Sequence, residues 1–112
     1  MDLSLTEHAV DQHVVLEVRG EVDVHSAPDL RDRLISVLDA GNQSVVVDLS
    51  WLSFIDSTGL GALVAARNHA NTAGASLPLV CKTERLLKVF RITGLHEVFQ
   101  IYPSLALAIE AG

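Results

Sequence analysis

Val45-Val46-Val47-Asp48-Leu49 limits the possible folds more than any other stretch of this 112-residue chain. It is too short for a stable helix, and its consecutive β-branched residues suit a pleated strand. A strand with apolar side chains on both sides of its pleat belongs inside a sheet covered on both faces. The segments around it must therefore supply flanking strands and covering helices.

The hydrophobic period supplies both. Leu3 and Leu5 alternate with polar residues, and Val14, Leu16, Val18 and Val22 continue a period of two beyond Asp11-Gln12. That pattern predicts a hairpin with one face toward the core. Leu30, Leu34, Val37 and Leu38 then recur at helical spacing, with Ser26 as the expected cap, Pro28 near the first position and Gly41-Asn42 as the stop. Asp29, three residues after Ser26, is placed to reach back to the cap. After the valine run, 50–56 reads as a turn region, followed by a helix that carries Leu60, Leu63 and Val64 and ends near Gly74. A short strand over 77–81, a helix over 84–92 capped by Thr83, a weak strand over 98–101 and a helix opened by Pro103-Ser104 complete the chain. The order ββαβαβαβα predicts a single α/β domain over 1–112, with a mixed sheet, mostly parallel in its second half, and helices packed against it.

Composition excludes several classes of function. Apolar residues make up 49% and charged residues 20%, too apolar for disorder. The net charge of −6 and the scattered eight Lys and Arg argue against a nucleic-acid partner, which requires clustered cations. Cys81 is the only cysteine and sits in the apolar run Leu79-Val80-Cys81, so it reads as a small buried hydrophobe rather than a redox centre. The five histidines have no paired metal spacing and no triad partner. The start, Met1-Asp2, has no basic segment leading into an apolar core, and no apolar run reaches membrane-spanning length. The expectation is a cytoplasmic protein without cofactor, metal or membrane attachment.

The chemistry is concentrated in Phe54-Ile55-Asp56-Ser57-Thr58-Gly59-Leu60-Gly61, between a buried strand and a helix. Such a segment falls at the carboxyl edge of the sheet, where open α/β folds place functional loops. Asp56 and Ser57 are both N-cap candidates, and Gly59 and Gly61 allow a second surface to approach the backbone. One reading of Ser57 is a plain cap, with the glycines serving packing alone. The P-loop reading lacks its lysine-hydroxyl pair, and a hydrolase reading lacks the Gly-x-Ser-x-Gly elbow. Phosphorylation of Ser57 has the better physical logic. A phosphate adds about −1.5 to −2 charges, which the free amides and dipole of a helix start accommodate. A docked partner meets that charge beside Asp56, and beside Asp23 if its strand ends at the same edge.

These residues closely resemble the anti-anti-sigma factors, or anti-sigma factor antagonists, of the STAS-domain family. The resemblance rests on Gly20-Glu21-Val22-Asp23, Ala27-Pro28-Asp29-Leu30-Arg31, and Val46-Val47-Asp48-Leu49 leading into Asp56-Ser57-Thr58-Gly59-Leu60-Gly61. Leu87-Lys88-Val89-Phe90, Thr93-Gly94-Leu95 and Val98-Phe99 extend it over nearly the whole chain. It implies a partner-switching cycle. The unphosphorylated form binds an anti-sigma factor that is also a serine kinase, phosphorylation of Ser57 ends the interaction, and a PP2C-type phosphatase restores it. Asp23, Asp56, Ser57, Thr58, Gly59, Leu60 and Gly61 are the contact residues so implied. Trp51, in a less bulky position in many relatives, is expected to fill core space. The alternative within the family is a STAS subunit of a transporter or signalling complex that is never phosphorylated.

Overall fold

The computed structural model describes residues 2–112; Met1, part of the Met1-Asp2 start read above, lies outside the described residues. Two strands open the chain, β1 (Leu3–Val10) and β2 (His13–Val22), paired antiparallel from Leu3↔Gly20 to Val10↔His13. Asp11 takes the left-handed conformation at the turn (φ 54°), which a short polar side chain tolerates best. Helix α1 (Ala27–Asp39) follows, then β3 (Val45–Asp48), β4 (Leu52–Ile55), α2 (Ser57–Thr72), β5 (Leu79–Val80), α3 (Glu84–Ile92), a 3₁₀ turn (Leu95–Glu97), β6 (Ile101–Tyr102) and α4 (Leu105–Ala111). The main strand order is β1-β2-β3-β5-β6, with every pairing after the hairpin parallel.

The valine run behaves as its composition requires. Val45 and Val47 face a large core shared with Leu16, Val18, Leu30, Leu34, Leu63 and Phe90, so α1, α2 and α3 cover that side. Val46 points the other way, joining Val15, Val80 and Ala108 under α4. Phe90 and Phe99 meet edge-to-face with centroids 6.2 Å apart, closing the α3 end of the main core.

Three expectations need correction. The first is a missed strand. Residues 52–55 form β4 rather than a turn, and β4 pairs parallel with the second half of β2. The register shifts between Gly20 and Glu21, so burial along β4 runs buried-exposed-exposed-buried instead of alternating. A bulge of this kind erases the period that identifies a strand. The outer edge of β4 is capped in turn, because Arg85 of α3 donates to the Ser53 carbonyl at 3.0 Å.

The second is Trp51, which is not in the core. It is 57% exposed, and the Arg19 guanidinium lies over its ring at 4.9 Å. Leu49 and Leu52 on either side fill the interior, leaving the indole to cover the sheet surface as half of a cation–π pair. The third concerns caps and the last strand. Ser26 and Thr83 hold N-cap positions without a side-chain cap bond, whereas Ser104 accepts from Leu107 N at 3.2 Å. The last strand begins at Ile101, because Gly94 (φ 77°) turns the chain into the 3₁₀ segment and Val98 closes that turn.

Candidate functional site

Parallel pairing brings the site together. Val22 is in register with Ile55, and Asp56 N donates to the Val22 carbonyl at 3.2 Å, so Asp23 and Asp56 leave the carboxyl ends of neighbouring strands. The expectation that Asp23 reaches the same edge holds: its charge raises the cost of ionising Asp56.

Each aspartate is nonetheless held below the ordinary carboxyl value. For Asp23 the principal causes are the Ser26 and His25 amides, which donate to Oδ1 at 3.0 and 2.9 Å. For Asp56 the largest cause is the Thr58 hydroxyl, 2.6 Å from Oδ1, followed by the Gly59 amide at 3.0 Å. Hydrogen bonds to a carboxylate favour its charged form, and here they outweigh desolvation and mutual repulsion.

Asp56 is therefore the cap of α2, in extended conformation, and Ser57 is the first helical residue. This corrects the reading of Ser57 as a cap. Its side chain is exposed, and among the described residues no side-chain hydrogen bond engages it. Thr58 is also exposed but bonded to Asp56.

The two glycines separate. Gly59 is buried, and a Cβ there would lie 2.6 Å from Ile55 Cγ1 and 2.7 Å from Val22 Cγ1. It lets α2 descend onto β2 and β4, which is packing and not docking. Leu60 is likewise buried, 6% exposed, and turned into the core. Gly61 is exposed, and a Cβ there would meet nothing within 4 Å. So Asp23, Asp56, Ser57, Thr58 and Gly61 share the outer surface, while Gly59 and Leu60 support it from beneath.

An open groove of about 350 Å³ runs from this surface between the starts of α1 and α2, lined by Val24, Pro28, Arg31, Thr58, Gly61 and Ala65 among others. Val24, 59% exposed, was not singled out from the sequence. Its signal is an apolar residue that continues the β2 alternation one step past the strand end. No group of three potential metal ligands occurs among the described residues, and none of their helices is long and apolar enough to cross a membrane.

Known proteins carry the same architecture. The chain is 34% identical to the anti-sigma-B factor antagonist of Bacillus subtilis (strain 168) over 101 residues, covering 90% of this chain and 92% of that protein. It is 32% identical to the anti-sigma-B factor antagonist of Staphylococcus epidermidis, over 90% of this chain and 94% of that one. The crystal structure of an anti-sigma factor antagonist from Mycobacterium paratuberculosis superposes with a TM-score of 0.90 at 27% identity, covering 98% of this chain and 93% of that chain. The family model of the STAS domain matches residues 5–108, and the chain belongs to the STAS-domain family.

Proposed function

We propose that this chain is an anti-sigma factor antagonist working as a single cytoplasmic STAS domain, and that Ser57 is its switch. Unphosphorylated, it binds an anti-sigma factor that is also a serine kinase, and the sigma factor is released. The kinase then transfers the γ-phosphoryl group of ATP to Ser57 Oγ. The new O–P bond forms as the β–γ bridge breaks, ADP leaves, and the hydroxyl proton passes to a base on the kinase. A PP2C-type phosphatase hydrolyses the ester and restores the binding form. The chain itself is substrate and ligand, not enzyme, and needs no cofactor of its own.

The observation that carries this reading is the free, exposed Ser57 hydroxyl on the first turn of α2, next to Asp56 and at the sheet edge where Asp23 also emerges, both aspartates being held ionised by their hydrogen bonds. A phosphate there gains from the helix dipole, although Asp56 already occupies the Gly59 amide. The ester group therefore projects outward, toward whatever is docked, and brings charge and bulk to an acidic surface. An interface closed over that surface meets repulsion while the fold is retained.

Incubation with the cognate kinase and ATP, followed by mass mapping, tests the reading. Phosphate on Ser57 alone is expected; phosphate only at other residues would remove it.

A further inference from the structure

Resting on that phosphorylation reading, we propose that Asp56 is the positioning residue that confines phosphoryl transfer to Ser57, by engaging the hydroxyl of the adjacent Thr58. Ser57 and Thr58 are neighbours on the first turn of α2, both exposed, and both bear a hydroxyl that a kinase is chemically able to phosphorylate. Exposure does not distinguish them. Hydrogen bonding does.

Thr58 Oγ1 lies 2.6 Å from Asp56 Oδ1. An ionised carboxylate only accepts, so the Thr58 proton points at Asp56. Phosphoryl transfer needs that proton handed to the kinase's base, with an oxygen lone pair in line with the γ-phosphorus. For Thr58 the charge-assisted bond must first break. Rotation of χ1 to release it is restricted by the β-branch, and the side chain sits in the wall of the groove beside α1.

Asp56 does not substitute as the base. Its carboxyl is held below the ordinary value of 3.8 by this same hydroxyl and by the Gly59 amide, so it is a poor proton acceptor. A phosphoryl group arriving at Thr58 Oγ1 would also stand directly against the carboxylate, charge on charge. Ser57 carries no such bond among the described residues, so its hydroxyl is free to turn toward an incoming nucleotide. Asp56 thus has two tasks: it caps α2 through Gly59 N and withholds Thr58 through the same oxygen.

The test uses the full chain, the cognate kinase and ATP, read by phosphoamino-acid ratio and fragment mapping of residues 57 and 58. Wild type is expected to carry phosphoserine at 57, and Ser57→Ala to remain essentially unmodified at Thr58. In the Ser57→Ala background, Asp56→Gly removes the acceptor at little cost to the cap. Thr58 phosphorylation is expected to rise about ten- to hundredfold, the worth of a hydrogen bond to a charged group. Asp56→Asn in that background is the conservative rescue. It removes the charge but keeps an acceptor oxygen, so Thr58 labelling should fall between that of Ser57→Ala and that of Ser57→Ala/Asp56→Gly.

Equal labelling of Thr58 in Ser57→Ala and in Ser57→Ala/Asp56→Gly would overturn the inference while leaving Ser57 phosphorylation standing. A wild-type chain with phosphate at neither residue would instead remove the reading beneath it. Three-bond couplings to the Thr58 methyl carbon read the lock in the folded, unaltered protein. One χ1 rotamer is expected in wild type; averaging over several would sink the proposal without any variant.

Discussion

The starts of α1 and α2 lie beside one another past the parallel ends of β2 and β4, each led by an aspartate whose Oδ1 gathers local donors. Each also has a serine, and the two serines are handled in opposite ways. Ser26 is 8% exposed. Its hydroxyl accepts from Asp23 N at 2.9 Å and faces the Glu21 carbonyl and Asp23 Oδ1 at 3.1 and 3.2 Å. Ser57, one strand away, is exposed and free of such bonds. A hydroxyl turned inward holds the end of β2 to the start of α1; one turned outward contributes nothing to the fold. Chemistry at the second is possible because the structural work is done by the first, and by Asp56.

Charge substitution should break this comparison most strongly. Ser57→Glu adds a carboxylate to the surface that carries Asp23 and Asp56; a partner closed over it must bury an unpaired charge, so anti-sigma factor binding under the proposed function should weaken about 100-fold or more. Ser57→Ala should bind as wild type and melt within about 2 °C of it, since surface changes usually stay within about 0.5 kcal/mol. Titration calorimetry and thermal melts read both. Equal binding by wild type and Ser57→Glu would favour the STAS subunit that is never phosphorylated. Ser26→Ala reverses the pattern and should cost about 1–3 kcal/mol of stability, because the Asp23 amide loses its acceptor inside the turn. Denaturant unfolding that finds Ser26→Ala and Ser57→Ala equally stable would dissolve the distinction between the two helix starts.

How far the site could be read in advance follows from the same local detail. The alternation of strand and helix was legible because β1, β2 and α1 keep a clean period, and Val45–Asp48 fixed a doubly covered sheet. Strand β4 was not, because the shift at Gly20/Glu21 breaks the alternation that marks a strand. Trp51 misled because an apolar side chain favours burial on average, whereas its actual place depends on a turn and on Arg19, thirty-two positions earlier in the numbering. Asp56 and Ser57 were both credible caps from residue type alone; only the backbone conformation assigns that role to Asp56. The carboxylate pair was half legible, since Asp23 joins the site through a strand pairing with no local signature.

Gly59 and Gly61, two positions apart and indistinguishable by composition, extend the comparison to the floor and surface of the site. Gly59→Ala forces a methyl against Ile55 and Val22 and should lower stability by about 1–3 kcal/mol, the usual cost of overpacking. Gly61→Ala meets no atom within 4 Å and should raise stability by up to about 1 kcal/mol through helix propensity. If a partner uses the groove beside Gly61, that more stable variant should bind it more weakly. Stability and affinity would then move in opposite directions, an outcome a purely structural glycine does not produce. A loss of stability in Gly61→Ala would count against the open surface described for it.

The smallest effect is a titration that separates the two aspartates. Both have folded-state values below the ordinary 3.8, so both stabilise the fold above that value and lose the contribution as pH falls through the folded one. The sensitive window thus begins near pH 4 and extends downward. Thr58→Val removes the largest cause at Asp56 while leaving the Ser26 and His25 amides on Asp23 untouched. The Asp56 carboxyl should then titrate closer to 3.8, with Asp23 nearly unmoved. Carboxyl carbon shifts followed from pH 6 to pH 2 distinguish the residues directly. If both titrations move together, repulsion between the two carboxylates dominates the site. If Asp56 alone moves, its state is set chiefly by the helix start it caps, and each aspartate governs its own hydroxyl.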